Sequence, residues 1–246
     1  MNKEEYEIMY RLEDTHWWYV GMYGIVSKLL DKHVVRGSID SLSILDAGCG
    51  TGGILQRFEG AGFIAGVDAC EEALEFCQKR GLRQLTLASV TDIPFADSSF
   101  DLILSFDVLY HMNVNDDVAA LKEFRRLLKP GGHLLIRLPS YNWLRGSHDE
   151  AVHTRQRYDA AELRRKMQLA GFKVERITYA NTVLFPVAAM KRLAEMSFGL
   201  RSGSDVKAVS PLVNGALSTV LRIEQSLISV TDLPWGLSVF GLGRAS

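Results

Sequence analysis

Ile44-Leu45-Asp46-Ala47-Gly48-Cys49-Gly50-Thr51-Gly52-Gly53 is the stretch on which the reading of this chain turns. It closes an apolar run, SLSILDAG, that reads as a buried strand. GGILQRFEGAG follows with helical spacing and stops at Gly60 and Gly62. A glycine-rich turn between a strand and a helix lets the backbone approach a ligand where a Cβ would clash. Gly48, Gly50 and Gly53 also satisfy the dinucleotide pattern G-x-G-x-x-G, so the glycines alone leave a nicotinamide cofactor open.

Asp46 separates the alternatives. A dinucleotide turn delivers a pyrophosphate to the helix N-terminus, and a carboxylate on the preceding strand end works against it. S-adenosylmethionine has no phosphate and carries an ammonium and a sulfonium, so an acid at that place favours it. Outward from the turn, FIAGVD is a second strand ending in Asp68, and EEALEFCQKRG is a helix with an acidic start, a basic last turn and Gly81 as its stop. LTLAS and FDLILSF are the third and fourth strands. VNDDVAALKEFRRLLKPGG is a helix with Asp116 and Asp117 in its first turn and a Pro-Gly-Gly stop, before a fifth strand, HLLIRLP. AAELRRKMQLAG, FKVERITY and a last short strand, GLSVFGLG, complete the alternation. Strands alternating with helices predict a mostly parallel sheet covered on both faces.

Two further acids lie at strand ends. Asp68 is placed to accept from both ribose hydroxyls, and Asp92, just past the third strand, from the adenine amino group while Ile93 packs on the ring. One Asp alone would read as a turn or cap residue; three at successive strand ends behind a glycine turn read as a nucleoside site.

LDAGCGTG, VDAC, SVTDIPFADSSFDLILSFDVLYHM and LLKPGGHLLIRLP together resemble the small-molecule class I S-adenosylmethionine-dependent methyltransferases related to quinone-biosynthesis enzymes, over about residues 40–180. The resemblance implies a seven-stranded Rossmann-like α/β sheet of order 3-2-1-4-5-7-6 with the seventh strand antiparallel. It implies cofactor contacts at Asp46, Gly48, Gly50, Asp68, Asp92, Ile93, Ser105 and Phe106, to which Cys49, Gly52 and Ala69 are added as neighbours in the same turns. HWWY and SHDEAVHTRQRYD…LPWGLSVFGLGR are similar to a subgroup of bacterial and archaeal methyltransferases.

Methyl transfer is an in-line displacement that needs alignment, and a base only where the nucleophile carries a proton. His111, in DVLYHM after the fourth strand, is the candidate base, with loop capping as its alternative role. Trp18, Tyr19, Tyr110, Tyr141 and His148 are candidates for the acceptor pocket. His148, Asp149 and His153 lack metal-ligand spacing, so no metal is expected. Cys49 has no base beside it in sequence and reads as a small packing residue.

The chain divides into an N-terminal helical lid (1–40), the core (41–182), a helical insertion (183–232) and the final strand (233–246). Three adjacent aromatics, Trp17-Trp18-Tyr19, cannot share one helix face: either they bridge two packed surfaces or some of them line a pocket. In the insertion, two helical stretches flank the Gly/Ser hinge 201–205, and Val213, Ala216, Leu217, Val220, Ile223 and Leu227 recur at helical spacing. The expectation is a cover beside the acceptor pocket or a homodimer contact, with Leu184, Phe185, Pro186 and Phe198 offering an apolar edge to a lipid-like acceptor. Arg222 and Glu224 oppose an integral membrane span.

A net charge of −1 supplies no global field for nucleic acid, and Arg155, Arg157, Arg164, Arg165 and Lys166 read as a solvated helix face. Three cysteines without a CxxC pair, and a polar start without an apolar leader, predict a reducing, cytoplasmic setting. The rival functions are an NAD(P)-dependent oxidoreductase and a non-catalytic S-adenosylmethionine-binding module.

Overall fold

The computed structural model describes residues 3–34, 39–146, 149–150, 152–198 and 209–246. His148, the hinge 201–205 and the side chain of Phe198 lie outside that description.

Seven strands form one sheet: β1 (Ser43–Ala47), β2 (Phe63–Asp68), β3 (Leu85–Leu87), β4 (Phe100–Phe106), β5 (Leu128–Pro139), β6 (Phe172–Ala180) and β7 (Ser238–Ala245). Their order is β3-β2-β1-β4-β5-β7-β6, with β7 antiparallel to both neighbours, as expected. The helices are α1 (Lys3–Leu12), α2 (Trp17–His33), α3 (Gly53–Gln56), α4 (Glu71–Lys79), α5 (Asp117–Leu127), α6 (Ala160–Leu169), α7 (Phe185–Phe198) and α8 (Pro211–Ile228). None of the described helices is long and apolar enough to cross a membrane.

Strand alternation divides the core. Leu102 and Leu104 of β4 pack with Met22, Ile25 and Leu29 of α2, whereas Ile103 packs with Leu121 and Phe124 of α5. β5 repeats this, with Leu135 toward α2 and Leu134 and Ile136 toward α5 and α6.

Local details differ from the sequence reading. α3 has only four residues: it ends at Gln56 with Arg57 as its C-cap, and turns carry the chain on to Gly60. α5 stops at Leu127 with Leu128 already extended, so Pro130-Gly131-Gly132 lies inside β5. Asp116 is the N-cap, accepting from Val118 and Ala119 N–H. Asp117 is instead buried, receiving Arg155, Lys166, Gln156 and the Tyr158 hydroxyl. The basic cluster is therefore partly inward-facing, and Arg155 and Arg157 precede α6.

The apolar stripe expected of α8 is not its packed face. The helix buries Leu221, Glu224 and Ile228, while Val213, Ile223 and Leu227 are 46%, 57% and 43% exposed. The cause lies on α2. A Cβ at Gly21 would come within 2.2 Å of Leu221 Cδ1, and one at Gly24 within 2.3 Å of the Gln225 amide. The two glycines admit only that face of α8 at close range, and Gln225 Nε2 donates to Gly21 O at 3.0 Å.

Candidate functional site

The turn after β1 crosses the C-terminal edge of the sheet with Gly48, Gly50 and Gly52 at φ of 88°, 53° and 83°. A Cβ on Gly48 would lie 2.2 Å from Val108 Cγ2, so both backbone angle and space require glycine there. Gly50 N–H donates to Asp68 Oδ2 at 2.9 Å and Cys70 N–H to Asp68 Oδ1 at 3.0 Å. Asp68 thus joins the turns after β1 and β2, with Ala69 N–H as a further backbone donor to it.

Asp46 is buried, and its Oδ2 has no hydrogen-bond partner. Burial, with Asp68 and Glu13 nearby, holds its carboxyl well above the usual carboxylate range, partly offset by Arg137. Burial likewise raises Asp68 and Glu13. An orphaned buried carboxylate oxygen is costly unless a cation or donor arrives to meet it. The donor set fits a ligand bringing an ammonium and hydroxyls, and a pyrophosphate would face three carboxyls.

The other sequence candidates fall around this edge. Ser105 Oγ donates to Ala47 O at 3.0 Å, tying β4 to β1. Phe106 is half-buried, Asp92 and Ala69 are exposed, and Ile93 is buried in the core with its N–H on Glu123. Cys49 is buried with Sγ 3.8 Å from Cys77 Sγ; that contact, then burial, pushes its thiol up and away from thiolate chemistry.

α1 lies across the glycine turn. A Cβ on Gly50 would meet Met9 Cε at 2.7 Å. Glu13, at the end of this segment, accepts from Thr51 Oγ1 at 2.5 Å, Arg80 Nη2 at 2.7 Å and Tyr23 OH at 3.2 Å. Arg80 also holds Thr51 O at 2.9 Å and Asp14 at 3.0 Å. Glu13, Thr51 and Arg80 are absent from the sequence candidates, since no spacing rule joins residues this far apart.

Past the ends of β4 and β5 is a cavity of about 360 Å³. His16, Trp17 and Trp18 at the start of α2 line one side; Asp107 and Tyr110 after β4, with Pro139 and Ser238, line another. Ala188, Lys191, Arg192 and Glu195 of α7 close it, and Leu144, Asp149 and Arg157 come from the loop after β5. Arg137 pairs with Asp107 and lies 4.8 Å from the Trp18 ring centroid and 5.3 Å from that of Phe106. Arg157 is bidentate on Asp149 at 2.8 and 3.0 Å. Asn181, in the left-handed region at φ 61°, also lines the cavity, is 1% exposed, and leaves Oδ1 without a partner. Its backbone N–H, with that of Thr182, is held by the buried Glu224 of α8.

Of the acceptor-pocket candidates, the structure brings Trp18 and Tyr110 to this cavity. Tyr19 lies edge-on to Trp18, and Tyr141 stacks on Tyr179 at 5.3 Å. His111 does not line the cavity: its Nδ1 accepts Asn113 N–H at 3.2 Å, its ring is 5.8 Å from His153, and burial foremost lowers it to about 4. The bond from Asn113 N–H closes the loop after β4 on the imidazole.

Residues 45–136 match the family model for a methyltransferase domain. Those residues carry a methyltransferase domain, on a sheet of the order expected for that fold. It is 35% identical over 127 residues to the ubiquinone/menaquinone biosynthesis C-methyltransferase UbiE of Bdellovibrio bacteriovorus, covering 48% of this chain and 52% of that one. It is 31% identical over 113 residues to the tRNA (carboxymethyluridine(34)-5-O)-methyltransferase of Arabidopsis thaliana, covering 46% of this chain and 26% of the relative. Among solved structures, an S-adenosylmethionine-dependent methyltransferase of Mesorhizobium loti superposes with a TM-score of 0.60 at 15% identity, over 94% of this chain and 99% of that chain. The chain spans about half or less of the length of these curated relatives.

Proposed function

We propose that this chain transfers the methyl group of S-adenosylmethionine to a small-molecule acceptor bound in the cavity beside Asp107 and Asn181. The observation that carries the reading is the buried, unpartnered Oδ2 of Asp46 behind a left-handed glycine turn. When bound, the cofactor supplies an electrophilic methyl group on a sulfonium. Asp46 offers its carboxylate to the cofactor's cationic end, Asp68 accepts from the ribose hydroxyls, and Asp92 takes the adenine amino group. Gly48 and Gly50 let the backbone come close.

Residues 1–40 act as the lid: α1 shuts the glycine turn, and Trp18 meets the acceptor. The insertion 183–232 is the cover, with α7 closing the cavity and Glu224 of α8 fixing Asn181. Asn181 positions the acceptor by offering an orphaned carbonyl to one of its donors. Alignment and exclusion of water are then this chain's contribution. A small acceptor is favoured by the cavity's size and aromatic wall, and by the pairing of Arg155, Arg157 and Lys166 with buried carboxylates in place of a basic strip.

Calorimetric titration with S-adenosylmethionine tests the reading. Asp68→Ala should weaken binding several-fold to a hundredfold, from about 1–3 kcal/mol for buried hydrogen bonds to a charged acceptor. Equal affinity in the variant overturns the ribose assignment, and binding of NADH in place of S-adenosylmethionine overturns the reaction class.

A further inference from the structure

The methionine end of S-adenosylmethionine carries a carboxylate as well as an ammonium, and Asp46 answers only the ammonium. The glycine turn has little to give an anion. Gly48 and Cys49 N–H are spent on Val67 O, Gly50 N–H on Asp68, and Gly52 N–H on Cys49 O. Arg80 beside the turn is spent as well, with Nε on Thr51 O, Nη1 on Asp14 and Gln56, and Nη2 on Glu13. A carboxylate placed among Asp46, Asp68 and Glu13 needs a cation of its own.

Strand register supplies one. Asp46 of β1 pairs with Leu104 of β4, and Phe106, two residues on, pairs with Arg137 of β5. Leu104 and Phe106 both belong to the core layer under α2, so Asp46 and Arg137 project from that same face of the sheet. Two strand spacings of about 4.8 Å and two residues of about 3.3 Å put their Cα atoms on the order of 12 Å apart. An Asp and an Arg side chain with an α-amino-carboxylate between them span that gap. Burial foremost raises the Asp46 carboxyl, and Arg137 is the cation that works against it.

Arg137 also keeps an edge for a ligand. Nε, at 3.0 Å, and Nη2 both donate to the same oxygen, Asp107 Oδ2, and Nη1 makes no hydrogen bond among the described residues. The Trp18 and Phe106 rings flank the guanidinium and the side chain is 8% exposed, so the fork is preset and little water reaches it. Arg137 is not among the residues that line the cavity, although Asp107 is, so an acceptor held there is not what this edge meets.

We propose that Arg137 is the receptor for the carboxylate of the cofactor's methionine end, taking it on Nη1 while Asp107 keeps Nε and Nη2 and Asp46 holds the neighbouring ammonium. The assignment rests on the placement of S-adenosylmethionine in the glycine turn and adds to it the group that binds the anion.

The test compares S-adenosylmethionine with its decarboxylated form, which keeps the adenosine, the sulfonium and the ammonium, by calorimetry on the full chain. The parent should bind S-adenosylmethionine about 10- to 100-fold more tightly, from one charge-assisted hydrogen-bonded contact. Arg137→Gln should bring that preference below about threefold, and Arg137→Lys, a point charge without the fork, should keep part of it. A purely structural role lowers both affinities together and leaves their ratio unchanged. The parent comparison needs no variant, so it decides even if Arg137→Gln folds poorly. Equal binding of the two sulfoniums by the parent overturns the subsite and leaves the cofactor placement standing, and so does a preference that survives in Arg137→Gln. A parent that binds neither overturns the placement, and the subsite with it.

Discussion

Arg137 sits between Trp18 of α2 and Asp107 after β4, and the coupling between Arg137 and Trp18 measures how firmly α2 is held there. The guanidinium is 4.8 Å from the Trp18 centroid, and the Arg137 side chain is 8% exposed against 26% for its partner Asp107. A desolvated cation over Trp contributes about 2 kcal/mol, against about 0.5–1 kcal/mol at an exposed site. Arg137→Gln also leaves Asp107 without its cation. Since Asp107 keeps some water, the cost is about 2–3 kcal/mol, below the roughly 3–5 kcal/mol for breaking a fully buried pair. Trp18→Leu removes the ring and keeps an apolar filler. The cycle of the two single variants, the double variant and the parent, followed by urea unfolding at a shared m-value, should return a coupling of about 1–2 kcal/mol. Arg137→Lys should retain less than half of it, because an ammonium cannot bridge Asp107 and lie flat on the ring together. A coupling below about 0.5 kcal/mol, the scatter of additive pairs, would refute the seating of α2 by this contact.

Three further outcomes follow from the site. Asp46 has a raised carboxyl and a cationic ligand lowers it, so binding releases a proton; affinity for S-adenosylmethionine should climb as pH rises through the folded Asp46 value and then level off. In the ligand-free chain the sign is the reverse: the raised folded value contributes stability at low pH that is lost as pH rises through it. Asp46→Asn should therefore raise the neutral-pH melting temperature, weaken binding and flatten its pH dependence, and an unchanged slope by calorimetry would contradict this. Gly48→Ala should destabilise by about 2–4 kcal/mol, combining left-handed strain of about 1–2 kcal/mol with overpacking against Val108; chemical denaturation reads it directly. Glu13→Ala leaves Arg80 with Asp14 and Thr51 O, so about 1–3 kcal/mol is lost and α1 loosens; limited proteolysis should then cut between residues 10 and 17, where the parent resists.

The sequence by itself determined the sheet and the glycine turn, because both are written in local pattern. Strand and helix periods alternate with turn residues at the joints, and the Gly48 and Gly50 backbone angles need no distant partner to be anticipated. The positions of Asp46 and Asp68 on the sheet were legible for the same reason: each sits at the end of a recognisable strand, and strand ends share one edge of a parallel sheet. Only the tertiary structure decided which face of α8 packs. Its apolar periodicity points to one side, while Gly21 and Gly24 on α2, some two hundred residues earlier, open a groove for Leu221 and Gln225 on another. The clamp of Glu13 on Thr51 and Arg80, the pairing of Arg155 and Lys166 with a buried Asp117, and the displacement of His111 from the cavity belong with it. Each depends on contacts between segments far apart in the chain, where charge and distance matter and periodicity carries no information.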